Sequence, residues 1–322
     1  PEVRLVCDRF AVRRGARRFG GGRGAGGDWR RRYALGRELG AGQTAVVFEA
    51  FATGTGSEEV EYGGQQGYDS NGVNGQRKSA GRRVALKRFY NPGTMMFQQE
   101  LRALQAVGVH PHVLRLLESY EGGSNEDALV LEHCDGGDVY ELYASHNGCC
   151  MLEAFVLQLL KQVLLAVQHL VDRGIEHRDV KPENLLLYGA SADKTAVPRL
   201  KLADFGWAVV TDEQRLRQAV PPEGVGSLWY APPELNPPVD GAGPAAEDVP
   251  LGRSDMWSVG VIAYLLLVGH SPFNTALRVA DPAAREGEVV RLAAIGQINT
   301  SSRPWAGLSE EARSFVSALV GA

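Results

Sequence analysis

Apolar residues recur along this chain in two textures. From Tyr33 to about His133 they come in short β-type runs: residues 33–39, 45–51, Arg83–Phe89 and Ala128–Glu132 read as strands. One stretch among them, Met95–Val107, repeats at helical spacing and predicts a face of Phe97, Leu101, Leu104 and Gly108. From Cys134 onward helices dominate. Residues 151–173 put Leu152, Phe155, Val156, Leu159, Leu160, Val163, Leu164, Val167, Leu170 and Val171 on a wide apolar face, and Gly174 supplies the stop. Residues 256–268 are apolar except at Ser258 and Gly260; this run falls short of the roughly 20 residues that span a bilayer and reads as a buried core helix. Residues 308–320 predict a last helix. The pattern as a whole predicts an α+β chain, with a small antiparallel sheet and one helix followed by a mainly α-helical part.

Length fits this picture, since 322 residues with 44% hydrophobic content can build one large domain or two lobes. Lys plus Arg is 34 against 38 for Asp plus Glu, a net charge of −4, so no overall field points to nucleic acid or an anionic membrane. Cys7, Cys134, Cys149 and Cys150 form no C-x-x-C pair and no metal spacing with His, which predicts free thiols and an intracellular, cytoplasmic or nuclear setting. Residues 1–32 hold ten arginines against three acids around a glycine-rich run, and read as a disordered tail, with an RNA-binding arm as the alternative. Residues 53–81 and 236–252, rich in Gly, Ser, Asn and Pro, read as insertions into one fold.

Chemistry-bearing residues fall at several points. Gly40, Ala41 and Gly42 sit between two strand-like runs, where glycines allow backbone N–H groups to approach a phosphate, although an ordinary turn has the same look. Lys87 lies on an apolar strand and needs an anionic partner; Glu100, the only acid between Lys87 and Glu118, is the candidate. The strongest signal is His177-Arg178-Asp179-Val180-Lys181-Pro182-Glu183-Asn184, followed by Leu185–Leu187 and by Asp204-Phe205-Gly206. In these motifs the sequence resembles the eukaryotic protein kinases of the Ser/Thr type, over a stretch from about Tyr33 to the C-terminus.

That resemblance implies a two-lobed protein kinase fold, with an N-lobe at residues 33–133 and a C-lobe at 134–322. It implies transfer of the γ-phosphate of ATP to Ser or Thr of protein substrates, with Mg²⁺ as the metal. By the same resemblance Asp179 accepts the substrate hydroxyl proton, Lys181 meets the γ-phosphate, and Asn184 and Asp204 hold Mg²⁺. Val47, Ala85, Leu131 and Leu186 surround the adenine, the backbone of Glu132 and Cys134 bonds it, and Lys87, held by Glu100, orients the phosphates. Asp255 braces the catalytic loop. Asp138 and Glu183 imply a preference for basic substrates. Gly226-Ser227 with Glu223 is similar to the calcium-dependent kinases, whereas Asp204–Val209 and Pro232-Pro233-Glu234 are similar to the Aurora group. Glu223, at the usual phosphorylation position, predicts a permanent carboxylate facing Arg178.

Departures from the family pattern are also on view. Ala45 replaces the third glycine and Thr44 the usual aromatic, and the thirteen-residue step from Lys87 to Glu100 is short. The chain stops before the arginine that family members pair with the glutamate at Glu234, which predicts either a fragment of a longer protein or a marginally stable C-lobe. The rival from another class is a pseudokinase, a kinase-shaped binding module. Retention of Lys87, Glu100, Asp179, Asn184 and Asp204 argues against it.

Overall fold

The computed structural model describes residues 28–53, 81–121, 126–146, 148, 150–189, 197–211, 226–236 and 250–320. The chain divides into two compact units: Arg23–Gly93 with Leu117–His133, and Thr94–Leu116 with Cys134 onward. Most of the 53–81 and 236–252 segments, Cys7, Cys149 and Glu223 lie outside the described residues, so the expectations placed on them are not addressed.

The first unit is built on a five-stranded sheet of order β1-β2-β3-β5-β4, comprising β1 (Tyr33–Ala41), β2 (Ala45–Ala52), β3 (Arg83–Phe89), β4 (Leu116–Tyr120) and β5 (Ala128–Glu132). The β1-β2, β2-β3 and β3-β5 pairings are antiparallel. Side chains alternate across a strand, so Ala50, Val84, Leu86, Ala128 and Val130 share one face, where they pack with Trp29, Tyr33 and Tyr120. Trp29 corrects the expectation of a tail reaching residue 32. The fold already includes a 3-10 turn at Trp29–Arg31, capped by the Asp28 carboxylate, because an indole this apolar completes the core.

In the second unit α1 (Met95–Val107) starts at Thr94, whose hydroxyl accepts the Phe97 N–H, and ends at Gly108, which takes the left-handed conformation with φ 69°. Gly108 is therefore the stop, and Val107, not Gly108, is buried beside Phe97, Leu101 and Leu104. The helix groups with the helical unit, touching the strands β6 (Ile175–Glu176) and β9 (Val209–Val210). Further on come α2 (Val139–Ser145) and α3 (Glu153–Val171), then the paired strands β7 (Leu185–Tyr188) and β8 (Arg199–Leu202). The remaining helices are α4 (Arg253–Val268), α5 (Pro282–Ala294), α6 (Arg303–Ala306) and α7 (Glu310–Val320).

Every residue of α4 from Ser254 to Val268 is buried, as its largely apolar run predicts, and α3, α6 and α7 pack on it. Gly260 permits the α7 crossing, since a Cβ there would lie 2.5 Å from Val320 Cγ2 and 2.7 Å from Leu319 Cβ. On α3, Val156, Leu159, Leu160, Val163, Val167 and Leu170 are buried as expected, but Leu152 is 82% exposed because the helix begins one residue later. By length and composition alone α3 is apolar enough to cross a membrane.

Candidate functional site

In the sheet unit, strand register decides which side chains are neighbours. Gly40 pairs with Val47, Val47 with Lys87, and Ala85 with Leu131, so all five lie on the face opposite the Trp29 core. Ala85 and Leu131 are buried, Val47 and Lys87 half-buried. The Lys87 ammonium stands 5.6 Å from the Phe89 ring centroid. Glu132 ends β5 opposite Val84. Gly40 and Ala41 belong to β1, and the turn beyond them is tight: the Gly42 N–H donates to the Ala45 carbonyl at 2.8 Å and the Tyr90 N–H to the Thr44 carbonyl at 3.0 Å. A Cβ built on Gly40 meets nothing within 4 Å, and one on Gly42 only the Ala45 carbonyl oxygen at 3.8 Å. The Ala45 methyl, in place of the third glycine, is buried in β2, paired with Phe89.

The helical unit holds the catalytic-loop sequence on a scaffold of buried hydrogen bonds. Asp255 accepts the backbone N–H of His177 at 2.9 Å and of Arg178 at 2.8 Å through its two oxygens. Burial pushes its carboxyl up to about 7, with the Glu176 charge adding to the effect. His177, fully buried and lowered by burial, is a neutral imidazole: Nε2–H donates to the Ala203 carbonyl at 3.1 Å and Nδ1 accepts the Asp179 N–H at 3.3 Å. Its ring meets the Phe205 ring edge-on at 4.7 Å.

Asp179 is buried at 5% exposure. Its Oδ2 accepts from Lys181 Nζ at 2.8 Å and from Asn184 Nδ2 at 3.1 Å, and the same amide donates to the Asp179 carbonyl at 2.8 Å. Among the described residues its Oδ1 has no partner. Lys181 also donates to Ser227 Oγ at 2.9 Å. The two amide hydrogens of Asn184 are thereby spent on Asp179, leaving its oxygen to accept. Asp204 is brought beside it, because the Ala203 N–H donates to the Asn184 carbonyl at 2.8 Å and β7 pairs with β8 from Leu185 onward.

Arg178 and Asp204 both hold left-handed backbone, φ 65° and 63°, which non-glycine residues keep only when their surroundings impose it. A Cβ on Gly206 would lie 3.4 Å from Asp204 Oδ1 and 3.8 Å from Glu100 Oε2, so the buried Glu100 shares that corner. Leu186, half-buried on β7, forms an isolated bridge with Asp138, and Cys134 is half-buried.

One residue and one contact escaped the sequence reading. Glu176 is buried directly ahead of His177, and Ser227 is a hydrogen-bond partner of Lys181. The signal for Glu176 was a lone charge after Gly174-Ile175, where an apolar residue fits a buried strand. Glu234 is buried, burial raises its carboxyl, and Oε1 has no hydrogen-bond partner among the described residues.

A scaffold of this kind around His-Arg-Asp and Asp-Phe-Gly is what a protein kinase domain carries, and the family model for that domain matches residues 64–321. The chain belongs to the protein kinase domain family. It is 31% identical over 289 residues to calcium/calmodulin-dependent protein kinase cmkA of Emericella nidulans, covering 89% of this chain and 57% of that protein. It is 30% identical over 224 residues to calcium/calmodulin-dependent protein kinase type 1 of Macrobrachium nipponense, covering 69% and 56%. Thus the chain spans little more than half the length of these curated relatives. Among solved structures, a twitchin kinase fragment of C. elegans matches with TM-score 0.65 and 24% identity over 92% of this chain and 55% of that one. A longer C. elegans twitchin kinase region gives 0.67 and 23%, over 92% and 44%. These two show the fold. The relatives are of the calcium group and lend no support to the Aurora-like cues.

Proposed function

We propose that the chain transfers the γ-phosphate of ATP to Ser or Thr hydroxyls of protein substrates. The observation that carries this reading is Asp179: a buried carboxylate with one oxygen fixed by Lys181 and Asn184 and the other without a partner among the described residues. Such a free oxygen is disposed to take the proton of an incoming alcohol and aim its oxygen. Lys181, placed between Asp179 and Ser227, supplies positive charge for the transferring group. In the sheet unit, Gly40, Ala41 and Gly42 leave room for phosphate, Val47, Ala85 and Leu131 offer an apolar face for a base, and Lys87 supplies positive charge for phosphates. In the same unit the backbone of Glu132 serves the base as well.

The residues present fit Mg²⁺, since Asn184 has its oxygen left to accept and Asp204 is an exposed carboxylate beside it; both are hard oxygen donors. When bound, the ion offsets negative charge on the phosphate oxygens. The rest falls to the chain's own groups: Asp255 and His177 hold the loop, and Asp179 moves the proton. Asp138 and Glu183, with Glu141 beside Asp138, favour basic residues near the target hydroxyl. The calcium-group relatives support a Ser/Thr kinase of that group; control by calcium would lie outside this chain, which has no EF-hand loop.

The test is transfer of labelled γ-phosphate to a mixed basic peptide library with Mg²⁺, run beside Asp179→Asn. Incorporation by the parent chain and its collapse in the variant are expected; equal incorporation in both overturns the assignment.

A further inference from the structure

Glu176 is out of place for its setting. It is the second residue of β6, pairs with Val209, and is only 7% exposed, where a charge is costly unless it is partnered. Two bonds satisfy it: Oε2 accepts from Arg178 Nε at 3.2 Å and Oε1 from the Gly252 N–H at 3.1 Å. Both partners bear on the catalytic loop. Gly252, with φ 83°, opens α4, which carries Asp255 and hence the acceptors for the His177 and Arg178 N–H groups. Arg178 is the strained residue immediately before Asp179. Glu176 therefore ties the strained backbone to the helix that braces it. None of the proposed transfer chemistry uses this carboxylate.

We propose that Glu176 is a positioning residue, which locks the Arg178 side chain and the Gly252 turn so that the left-handed Arg178 backbone aims Asp179 at the substrate hydroxyl. This rests on the phosphoryl-transfer reading above. Among the described residues the charged groups that interact with it are Arg178, Asp255 and Glu234, and Arg253 acts on Glu234 in turn. Because the Glu176 charge helps hold the Asp255 carboxyl up, neutralising Glu176 lets Asp255 ionise at lower pH.

The experiment compares the full chain with Glu176→Val and Glu176→Gln, measuring hydrogen exchange at the His177 and Arg178 amides and steady-state transfer to the basic peptides from pH 6 to 9. Glu176→Val is expected to speed exchange at those amides about tenfold and to lower kcat about tenfold, with KM for ATP changed less than about twofold. Glu176→Gln, which keeps one acceptor, is expected to fall between the two and to move the acid limb of kcat to lower pH. If Glu176→Val does not fold, the exchange rates and acid limb of Glu176→Gln decide the matter. Unchanged exchange at both amides, or a rise in KM with kcat intact, overturns the positioning role. A parent chain that transfers no phosphate while the variants still loosen the two amides strikes the kinase reading and leaves the positioning role standing.

Discussion

Between His177 and Asn184 the side chains are held by one another and by the helix behind them, whereas from Gly40 to Ala45 backbone hydrogen bonds hold the chain among the described residues. The loop keeps a non-glycine residue at φ 65° and a buried carboxylate with an unpartnered oxygen, both costly. The glycine turn carries no such strain, and at Gly40 a side chain would meet nothing of the protein. One region is organised in advance for a reaction in which charge must be met without rearrangement. The other is shaped by what it leaves open. Substitutions should accordingly act on turnover in the loop and on nucleotide affinity in the turn.

The largest effect is expected at Asp179. Asp179→Asn should lower kcat by about 10³-fold, within the usual span for loss of a positioned general base. It should not lower the melting temperature, because the replaced carboxylate is buried with one oxygen unsatisfied, and neutralising it removes a desolvation cost. A large drop in melting temperature with kcat little changed would show that Asp179 is scaffold, and the contrast with the turn would disappear.

Next comes Gly226, which lies against the loop. Its φ is 76°, and a Cβ there would overlap the Arg178 carbonyl oxygen and lie 3.4 Å from Asp179 Oδ1. Gly226→Ala should cost about 2 kcal/mol of stability and lower kcat by roughly tenfold or more. Denaturant unfolding read beside steady-state kinetics checks both. Retained kcat in a destabilised variant would separate the Gly226 contact from the aim of Asp179.

Much of this was legible in the sequence, and unevenly. Strands β3 and β5 and helix α1 match their periodicity to the residue, because alternation and 3.6-residue spacing are local signals. Asp179, Lys181, Asn184 and Asp204 were singled out by motifs that resemble those of protein kinases, and short-range bonds join the first three. Glu176 and the bond from Lys181 to Ser227 were not, since the contacts that give them meaning run 76 residues to Gly252 and 46 residues to Lys181. Trp29 was hidden by its arginine- and glycine-rich surroundings, although one buried indole outweighs such a composition.

The buried carboxylates behind the loop offer a pH test. The Asp255 carboxyl is raised in the fold to about 7 from an ordinary 3.8. A raised carboxyl stabilises the fold below its unfolded value, and that contribution is lost as pH climbs through the folded one. The lead in melting temperature of the parent over Asp255→Asn should therefore shrink between about pH 4 and 7. His110 runs the other way. Burial, aided by His169 stacked at 4.4 Å and by His112, lowers it to about 4, so its contribution is full above about pH 6.5 and is lost as pH falls toward 4. Parent-minus-variant melting curves for Asp255→Asn and His110→Phe should thus slope in opposite directions. Parallel slopes would mean that the loop support carries no titrating charge.

The smallest effect belongs to the turn, and it is diagnostic for that reason. Gly40→Ala adds a methyl on the face that carries Val47 and Lys87, with no protein atom within 4 Å and no left-handed backbone to strain. Melting temperature should stay within about 1 °C, as for a surface change worth a few tenths of a kcal/mol. KM for ATP should rise about threefold with kcat nearly intact, because the methyl occupies space that a phosphate group needs if it lies against the backbone there. An unchanged KM would mean that the open space at Gly40 is not where the nucleotide binds. A fall in kcat without a change in KM would mean that the turn, like the loop, acts on the transition state.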